Sequence, residues 1–525
     1  MDGYDRNRGP LVGRRGLLAG AGAGMVAVTL ADLLDPARAL AQAPAPRRGG
    51  ALVYCNTAQN TKAGDAANGL HPYHWVDINT RTCWNMLTYV DENLEVQPDL
   101  AVSWEADDAQ AVWEFRLREG VKFHDGRDLT ADDVVASFRL HLEESSFARE
   151  IKGVEKAGPD RVRFLLTQGN SEFHYVVAEY RQVIMAAGPP DRMGMDGNGT
   201  GPFRPVRLDP KRRLIMERNE HYFEKGFPYL DRLELVNRTG DMGGAMNGFR
   251  AGQFDVVLGV DPGLIAQIEK MPDTEMETAR SGGQMMMILP KHEGSPLLDR
   301  RVRKALSLAI DREAINRIVY RGRGWIGNDT HMDASDPAFL PLPGRDVAAA
   351  RRLLAEAGHA NGITLPTFYF APYWAEVPRV FQVVAESVKE AGITLPIQQM
   401  PNDGYRAWRV EDAAKTRKHR FAFGPVGPRN PGISLYRLRP DYNESGYWSG
   451  PDQERYMELF RKAMVTGDTE RRRAIYRDMQ RIAQEDGAVI LLGGRKELAI
   501  RKPGVHGLVN HPQHWAVHFT GVWKS

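Results

Sequence analysis

Cysteine is scarce in this chain, in which Cys55 and Cys83 are the two cysteines among 525 residues. Two cysteines cannot build a disulfide scaffold or a cysteine-based zinc site. They could form one disulfide bond in an oxidising compartment or remain two buried free thiols, and both alternatives stay open. At about 100–200 residues per domain, the chain length predicts two to four domains.

An excess of charge of one sign is also lacking. The chain has 69 lysines and arginines against 67 aspartates and glutamates, which is a formal net charge of +2. This balance argues against a dedicated nucleic-acid-binding protein, which would carry a clustered basic excess. After residue 50 there is no apolar run of the roughly 18–20 residues that a membrane-spanning helix needs.

Sequence motifs of two common enzyme classes are absent. The chain has neither a G-x-x-x-x-G-K-[ST] loop for ATP hydrolysis nor a G-x-S-x-G nucleophile elbow. The glycines Gly197, Gly199 and Gly201 are followed by Pro202 and a strand-like stretch. Because a phosphate-binding loop runs straight into a helix, these glycines predict a tight turn between lobes. The sequence predicts no catalytic residue and no cofactor.

Histidine is clustered in two places, and neither predicts a metal site. The clusters are His71 and His74 with Asp77, and His511, His514 and His518. A metal site needs three or four converging ligands. A proline interrupts the first cluster, and the second lies among proline and alternating aromatic residues.

The N-terminus has the features of an export signal. Arg14 and Arg15 precede an uncharged run over residues 16–30 that is rich in alanine, glycine and leucine. An adjacent arginine pair in this position resembles a twin-arginine signal, and the alternative is a Sec signal with a chance pair. We expect cleavage after Ala41, because cleavage after Ala43 would place a proline next to the cut. Residues 1–41 are therefore predicted as the signal peptide and 42–49 as a linker, leaving a soluble periplasmic protein.

Strand and helix signals alternate along the rest of the chain. Residues 113–118 alternate apolar and charged side chains as a half-buried strand does, and Thr130–Asp133 is typical of a capping box. Gly-Ile-Thr-Leu-Pro occurs at 362–366 and again at 392–396, each time after a predicted helix. This spacing matches one βαβ unit and predicts a partly parallel sheet. The predicted fold class is α/β or α+β in several lobes. The predicted helices in this part of the chain are 346–357, 379–391, 452–465 and 469–486.

Several aromatic residues fall in polar loops punctuated by glycine and proline. They are Trp75, Tyr373, Trp374, Trp408, Tyr447 and Trp448. Core aromatics usually occupy the periodic face of a strand or helix, whereas loop aromatics often line ligand clefts. We therefore treat these six as candidate ligand contacts.

Eight short stretches, in this order, resemble the family 5 extracellular solute-binding proteins of ABC importers, which include dipeptide- and oligopeptide-binding proteins. The stretches are Pro98–Glu105, Phe115–Gly126, Leu129–Val135, Gly199–Phe203, Glu217–Phe223, Pro228–Asp231, Val302–Arg312 and Ala350–Gly358. The resemblance spans essentially the whole mature chain.

The resemblance implies a fold and a domain order. The fold is α/β, periplasmic-binding-protein type II-like, with two lobes joined by a hinge plus a family-specific extra domain. The first lobe is expected to comprise residues 50–78, 200–284 and 498–525. The extra domain is expected over 79–199 and the second lobe over 285–497.

The resemblance also implies a function. A peptide or other small polar solute would bind between the lobes, and closure would present it to an inner-membrane ABC permease with cytoplasmic ATPase subunits. A monomeric binding protein that is not an enzyme is expected, with no nucleic acid among its partners. The alternative is a secreted enzyme or a sensory receptor on the same scaffold.

Matched residue by residue, the resemblance implies a set of ligand contacts. His74, Trp75 and Asp77 fall where the family's first hinge-side contacts occur. In the stretch 423–432, Gly427 stands where peptide binders carry an aspartate for the peptide ammonium, and Arg429 lies beside it. An arginine suits a carboxylate or phosphate, which argues for an anionic ligand. Asp441, Tyr447 and Trp448 match a cleft-lining segment.

Overall fold

The computed structural model divides the chain into two compact units, Met1–Ala45 and Pro46–Ser525, and the second is described below. The residues that the structure describes are 45–57, 80–144, 150–209, 212–238, 240–405, 407–409, 420–429, 431–439, 448, 451–513 and 516–525. The predicted signal peptide over residues 1–41 lies outside them and stays a prediction. Within these ranges, no helix combines the length and the apolar character needed to cross a lipid bilayer.

The largest sheet, here called the first sheet, draws seven strands from three separate parts of the chain. In spatial order the strands are Glu275–Thr278, Leu498–Arg501, Val256–Leu258, Ala51–Asn56, Arg232–Asn237, Arg213–Arg218 and Phe203–Asp209. The strand Ala51–Asn56 runs parallel to its neighbours on both sides. Leu52 and Tyr54 enter one apolar core and Cys55 another, because successive side chains point to opposite faces of a sheet. The first sheet is therefore covered on both faces.

The second sheet has six strands. In spatial order they are Gly324–Ile326, Ile490–Arg495, Gln284–Ile288, Ala422–Val426, Phe368–Phe370 and Ile397–Gln399. Phe368–Phe370 and Ile397–Gln399 are parallel, and the helix Val377–Lys389 connects them. Its apolar face, including Phe381, packs into the core of this sheet. The two Gly-Ile-Thr-Leu-Pro repeats pair with each other in parallel, Ile363 opposite Ile393. The predicted βαβ unit is confirmed.

The third sheet has four antiparallel strands. In spatial order they are Ala101–Ala106, Val112–Leu117, Arg161–Leu166 and Ile151–Gly158. The helix Ala131–Glu144 packs against it and begins after Thr130, whose backbone N–H and hydroxyl both donate to the Asp133 carboxylate, at 2.8 and 2.7 Å. The carboxylate half of the predicted capping box is therefore present.

The helices lie close to their predicted positions. The described α-helices are Thr80–Cys83, Ala131–Glu144, Phe173–Val176, Met242–Arg250, Ile265–Ile268, Arg300–Ala309, Arg312–Ile318, Val347–Glu356, Val377–Lys389, Pro431–Tyr436, Asp452–Met464 and Thr469–Asp486, with 3-10 turns at Pro262–Leu264 and Pro296–Leu298. Gly358 and Gly392, the predicted stops of two helices, have φ of 88° and 83°. Glycine adopts this left-handed backbone without the steric cost of a side chain.

Short strands complete the described structure. They are Thr88–Val90 paired with Val96–Pro98, Val505–His506 paired with Trp523–Lys524, and Ile363–Thr364 paired with Ile393–Thr394. The predicted domain boundaries stay a prediction.

Both cysteines are free and buried. The Cys83 sulfur lies 3.7 Å from the Met216 sulfur. Burial raises the pKa of the Cys55 thiol to about 12. Thiols that stay protonated are poor nucleophiles. The alternative of two buried free thiols is the one found.

The glycines Gly199 and Gly201 pack directly against the backbone of Cys83. A Cβ atom added to Gly201 would lie 2.5 Å from the Cys83 carbonyl carbon, and one added to Gly199 would lie 2.1 Å from the Cys83 oxygen. His124 holds the same turn, with its ring nitrogens 3.2 and 3.1 Å from the carbonyl oxygens of Gly197 and Gly201. These glycines therefore permit close backbone packing.

Gly201→Ala is expected to destabilise the protein by about 1–3 kcal/mol, because the added methyl group overlaps the Cys83 backbone. Urea unfolding followed by circular dichroism measures the change. Gly188→Ala is the control, because nothing lies within 4 Å of a Cβ atom at that position. Equal midpoints for the two variants would contradict this account of Gly201.

Candidate functional site

Two chain segments, 279–283 and 496–497, connect the first and second sheets and run side by side. The Ala279 N–H donates to the Glu497 carbonyl oxygen at 2.8 Å, and the Glu497 N–H donates to the Ser281 carbonyl oxygen at 3.1 Å. These hydrogen bonds continue the pairing of the strands on either side. We call this pair of segments the hinge.

A cavity of about 410 Å³ lies between the two sheets beside the hinge. Its described lining residues are Thr57, Gly240, Met242, Gly259, Asp261, Gly283, Pro372, Tyr373, Trp374, Ala375, Glu376, Asn402, Pro425, Val426, Gly427, Pro428, Arg495 and Glu497. This volume lies within the usual range for small-molecule sites, about 300–1,000 Å³.

The cavity lies at the carboxyl ends of strands from both sheets. Thr57 and Gly259 directly follow two parallel strands of the first sheet, and Gly427 directly follows a strand of the second. Loops at the carboxyl ends of parallel strands are where ligands bind in open α/β sheets. The position of the cavity is thus a consequence of the sheet topology.

One wall of the cavity is aromatic. Tyr373 and Trp374 follow the strand Phe368–Phe370, with their ring centroids 5.3 Å apart in an edge-to-face arrangement. The Trp374 ring lies close to the hinge backbone, since a Cβ atom added to Gly283 would lie 2.5 Å from it. Phe423 packs behind it, 6.2 Å between centroids. The indole is thereby held at the cavity wall on two sides.

Charged side chains are concentrated where the hinge meets the cavity. Arg495 is buried, with Nη1 3.7 Å from a carboxylate oxygen of Glu376 and Nη2 3.5 Å from one of Glu497. Nη2 also donates to the Val260 carbonyl oxygen at 3.2 Å. Asp261, on the first-sheet side, lies 3.6 Å from Arg379. One guanidinium therefore serves two buried carboxylates.

Glu376 is the most deeply buried of these groups, with 0% of its surface exposed. It stands just before the helix Val377–Lys389, but its side chain makes no capping hydrogen bond, and neither carboxylate oxygen has a hydrogen-bond partner. Burial raises the pKa of Glu376, and the nearby positive charge of Arg495 offsets only part of this rise. Burial works against the charge on Arg495 as well, but Glu497 and Glu376 outweigh it and raise its pKa.

The structure separates the aromatic residues named from the sequence. Tyr373 and Trp374 line the cavity, whereas Trp408 and Trp448 are not among the lining residues. Trp408 packs edge-to-face on Tyr369, at 5.1 Å between ring centroids. The guanidinium carbon of Arg420 lies 4.4 Å from the centroid of the Trp408 ring. The Trp448 indole N–H donates to the Leu438 carbonyl oxygen at 2.6 Å within an apolar core.

Arg429 is buried and ion-paired away from the cavity lining. Its Nε lies 2.9 Å from a carboxylate oxygen of Glu179, and its Nη1 donates to the carbonyl oxygen of its neighbour Pro428 at 2.9 Å. A second contact of this kind lies nearby, where the Glu172 carboxylate accepts from the Gly432 N–H at 2.7 Å and lies 3.4 Å from Arg472. Glu172 and Glu179 come after the last strand of the third sheet in the sequence. Their contacts therefore join the segment that carries the third sheet to the helices near the second sheet.

The remaining predicted contacts, His74, Trp75, Asp77, Asp441 and Tyr447, lie outside the described residues. Of the C-terminal histidines, His511 is buried and His518 is half-buried, and burial lowers the pKa of His511 to about 4. The His511 ring nitrogens lie 3.1 and 3.2 Å from the carbonyl oxygens of Gln513 and Val90. Among the described residues, no three metal-ligating side chains group together.

Sequence reasoning missed Glu376, Arg495, Glu497 and Asp261. A usable signal was present for Glu376, because it follows Tyr373 and Trp374 closely and precedes a helix that starts with Val377 and a proline. For the other three, the chain separation is too large for any local pattern to connect them.

Comparison with known proteins agrees with this architecture. Residues 95–433 match the model of the bacterial extracellular solute-binding proteins, family 5. The heme-binding protein A of Haemophilus influenzae is 29% identical over 311 residues, which cover 51% of this chain and 55% of that relative, so the chain spans about half the length of that protein. The di/tripeptide-binding protein 2 of Pseudomonas aeruginosa is 26% identical over 454 residues, 78% of this chain and 83% of the relative.

The fold also matches solved structures. NikA from Brucella suis, crystallised in complex with Fe(III)-EDTA, superimposes with a TM-score of 0.76 at 20% sequence identity, covering 90% of this chain and all of that one. The predicted α/β fold of the type II periplasmic-binding-protein kind is confirmed. Two α/β sheets joined by a hinge, with a cavity between them, are the arrangement expected of a solute-binding protein. The chain belongs to the bacterial extracellular solute-binding proteins, family 5.

The Arg429–Glu179 pair generates a prediction. Arg429→Ala removes the cation from a buried pair, which is expected to cost about 3–5 kcal/mol because the Glu179 carboxylate loses its counter-charge. The double variant Glu179→Ala/Arg429→Ala is expected to recover part of this loss. Thermal unfolding of both variants and the single Glu179→Ala closes the double-mutant cycle.

The same variants test the expectation that Arg429 contacts an anionic ligand. If Arg429→Ala unfolds at the wild-type temperature but binds a co-purified anionic solute more weakly in calorimetry, the arginine acts on the ligand and not on the fold. Arg473→Ala is the control, because that arginine pairs with Glu470 on the protein surface.

Proposed function

We propose that this protein is the substrate-binding component of an ABC importer that captures a peptide or another small polar solute between its two lobes. Closure about the hinge then presents the solute to an inner-membrane permease with cytoplasmic ATPase subunits. The observation that carries the proposal is the cavity between the first and second sheets, lined from both sides and bordered by the hinge. A solute touching both sides favours the closed form, because binding energy gained only there shifts the equilibrium.

The domain order supports the same mechanism. The proposed first lobe, residues 50–78, 200–284 and 498–525, carries the first sheet, and the proposed second lobe, 285–497, carries the second, whose strand Gln284–Ile288 starts at the boundary. The third sheet falls in the proposed extra domain, 79–199. Delivery in this scheme needs no chemistry on the solute.

The solute class is open within this proposal. The relatives compared above are named for heme and for di- and tripeptides, and one solved structure holds Fe(III)-EDTA. Family membership therefore does not select among peptides and other polar solutes. Tyr373 and Trp374 are the two predicted contacts that line the cavity and are proposed to touch the solute.

Native and denaturing mass spectrometry of the exported protein tests the function. We expect a small-molecule mass on the native protein that is absent after denaturation. A series of masses fitting di- to pentapeptides identifies a peptide carrier, and one non-peptide mass identifies another polar solute. Release of a chemically converted solute during incubation would contradict a purely binding role.

Export is proposed to use the arginine pair of the signal. Replacing Arg14 and Arg15 with lysines keeps the positive charge of the segment, so a Sec signal should still work and a twin-arginine signal should fail. We expect the precursor to accumulate in the cytoplasm, and its mass to exceed that of the mature form by residues 1–41. Replacement of Arg6 and Arg8 is the control. Normal export of the Arg14→Lys/Arg15→Lys variant would assign the signal to the Sec route.

A further inference from the structure

The described lining of the cavity carries more negative than positive side chains. Its described lining residues include three carboxylates, on Asp261, Glu376 and Glu497, and one guanidinium, on Arg495. The Arg379 guanidinium offsets Asp261 from outside the lining at 3.6 Å. Two carboxylates and a single guanidinium therefore remain at the hinge end of the cavity.

Arg495 does not satisfy Glu376. The distance of 3.7 Å between them exceeds a hydrogen bond, and the same guanidinium lies closer to Glu497, at 3.5 Å, and to the Val260 carbonyl oxygen, at 3.2 Å. Both oxygens of Glu376 are without a hydrogen-bond donor although the side chain is fully buried. A buried carboxylate left in this state costs free energy that a donor cation would recover.

The surroundings of Glu376 limit what that donor can be. Among the described lining residues there is no lysine or histidine, and the neighbouring wall is formed by the rings of Tyr373 and Trp374. Aromatic faces attract organic cations through their ring quadrupoles. An anionic solute would meet two carboxylates, and the one guanidinium nearby is already shared between them. The excess of negative charge therefore disfavours an anionic solute.

We propose that Glu376 is the recognition site for a positively charged amine group of the solute, held between this carboxylate and the Tyr373–Trp374 wall. This inference rests on the proposed function, because it names the chemical class of the solute that enters the same cavity. The solute is then a molecule with a free ammonium group, such as an unblocked peptide or an amine.

The recognition couples to the hinge. Arg495 directly precedes the hinge segment 496–497, Glu497 lies in it, and Glu376 stands just before the helix Val377–Lys389. An ammonium group on Glu376 releases Arg495 from one of its two carboxylate neighbours, so the guanidinium is freed to pair with Glu497. Binding of the amine thereby changes the charge pairing at the segments about which the lobes would move.

Matched probes test the proposal. Alanyl-alanine, phenylalanyl-alanine and phenethylamine carry a free amine, and their N-acetylated forms differ by the loss of its charge. We expect the mature wild-type protein to bind amines of this set and to bind the acetylated forms about ten- to a hundredfold more weakly in calorimetry, the usual loss for a charge-assisted hydrogen bond.

Glu376→Gln keeps the size of the side chain and removes its charge, so it should lose the same factor for the amines and nothing for the acetylated forms. Glu386→Gln is the matched control, because it makes the same change on the exposed side of the same helix. Glu376→Asp keeps the charge and is expected to retain part of the preference. Thermal unfolding of each variant shows that it is folded.

Equal binding of amines and acetylated forms, wild-type amine affinity of Glu376→Gln, or selective binding of glutarate would each overturn the proposal. Failure of every amine probe at millimolar concentration would overturn it as well. A small-molecule mass on the native protein would in all these cases leave the solute-binding function standing. Absence of both probe binding and any bound mass would count against the proposed function itself.

Discussion

The backbone hydrogen bonds between segments 279–283 and 496–497 are the constraint on which the rest of the site depends. They bring two chain segments more than 200 positions apart into one short ladder between the first and second sheets. The approach is close because glycine stands on both sides: a Cβ atom on Gly494 would lie 1.8 Å from the Gly283 carbonyl oxygen. A larger residue at position 494 would push these two segments apart, and one at position 283 would overlap the Trp374 ring of the cavity wall.

The same crossing sets the electrostatics of the cavity. Arg495 and Glu497 are next but one in the chain, at the end of a strand and in the hinge, so their side chains are carried to the cavity edge together. Charges buried in a protein interior interact more strongly than charges in water, and a shortage of one counter-ion is correspondingly costly. A cavity built in this way is most stable when a ligand of the missing sign is bound.

A contrast between two arginines shows why residue type alone does not identify a ligand contact. Arg429 lies next to a cavity-lining proline, but its guanidinium pairs with Glu179, from the part of the chain that carries the third sheet. Arg495, directly before the hinge, carries the positive charge among the described lining residues. Each arginine is assigned by the partner that tertiary packing brings to it.

Local patterns in the sequence were sufficient to predict individual helices and strands. Hydrophobic periodicity and glycine stops predicted the helices, because a helix depends on residues within a few turns of each other. The Gly-Ile-Thr-Leu-Pro string predicted the βαβ unit because it occurs twice, at 362–366 and 392–396, with one helix between. The order of family-like motifs was sufficient for the fold class. Tyr373 and Trp374 were found because loop aromatics after a strand have few core positions to fill.

The sequence by itself determined several helices and strands, the family and six aromatic candidates, of which Tyr373 and Trp374 line the cavity. Only the tertiary structure decided that Trp448 belongs to a core, that Cys55 and Cys83 are free, and that Glu376 is buried without a hydrogen-bond donor. The physical reason is that burial and charge pairing are set by neighbours from distant parts of the chain. Local sequence carries no record of which carboxylate meets which guanidinium across a hinge.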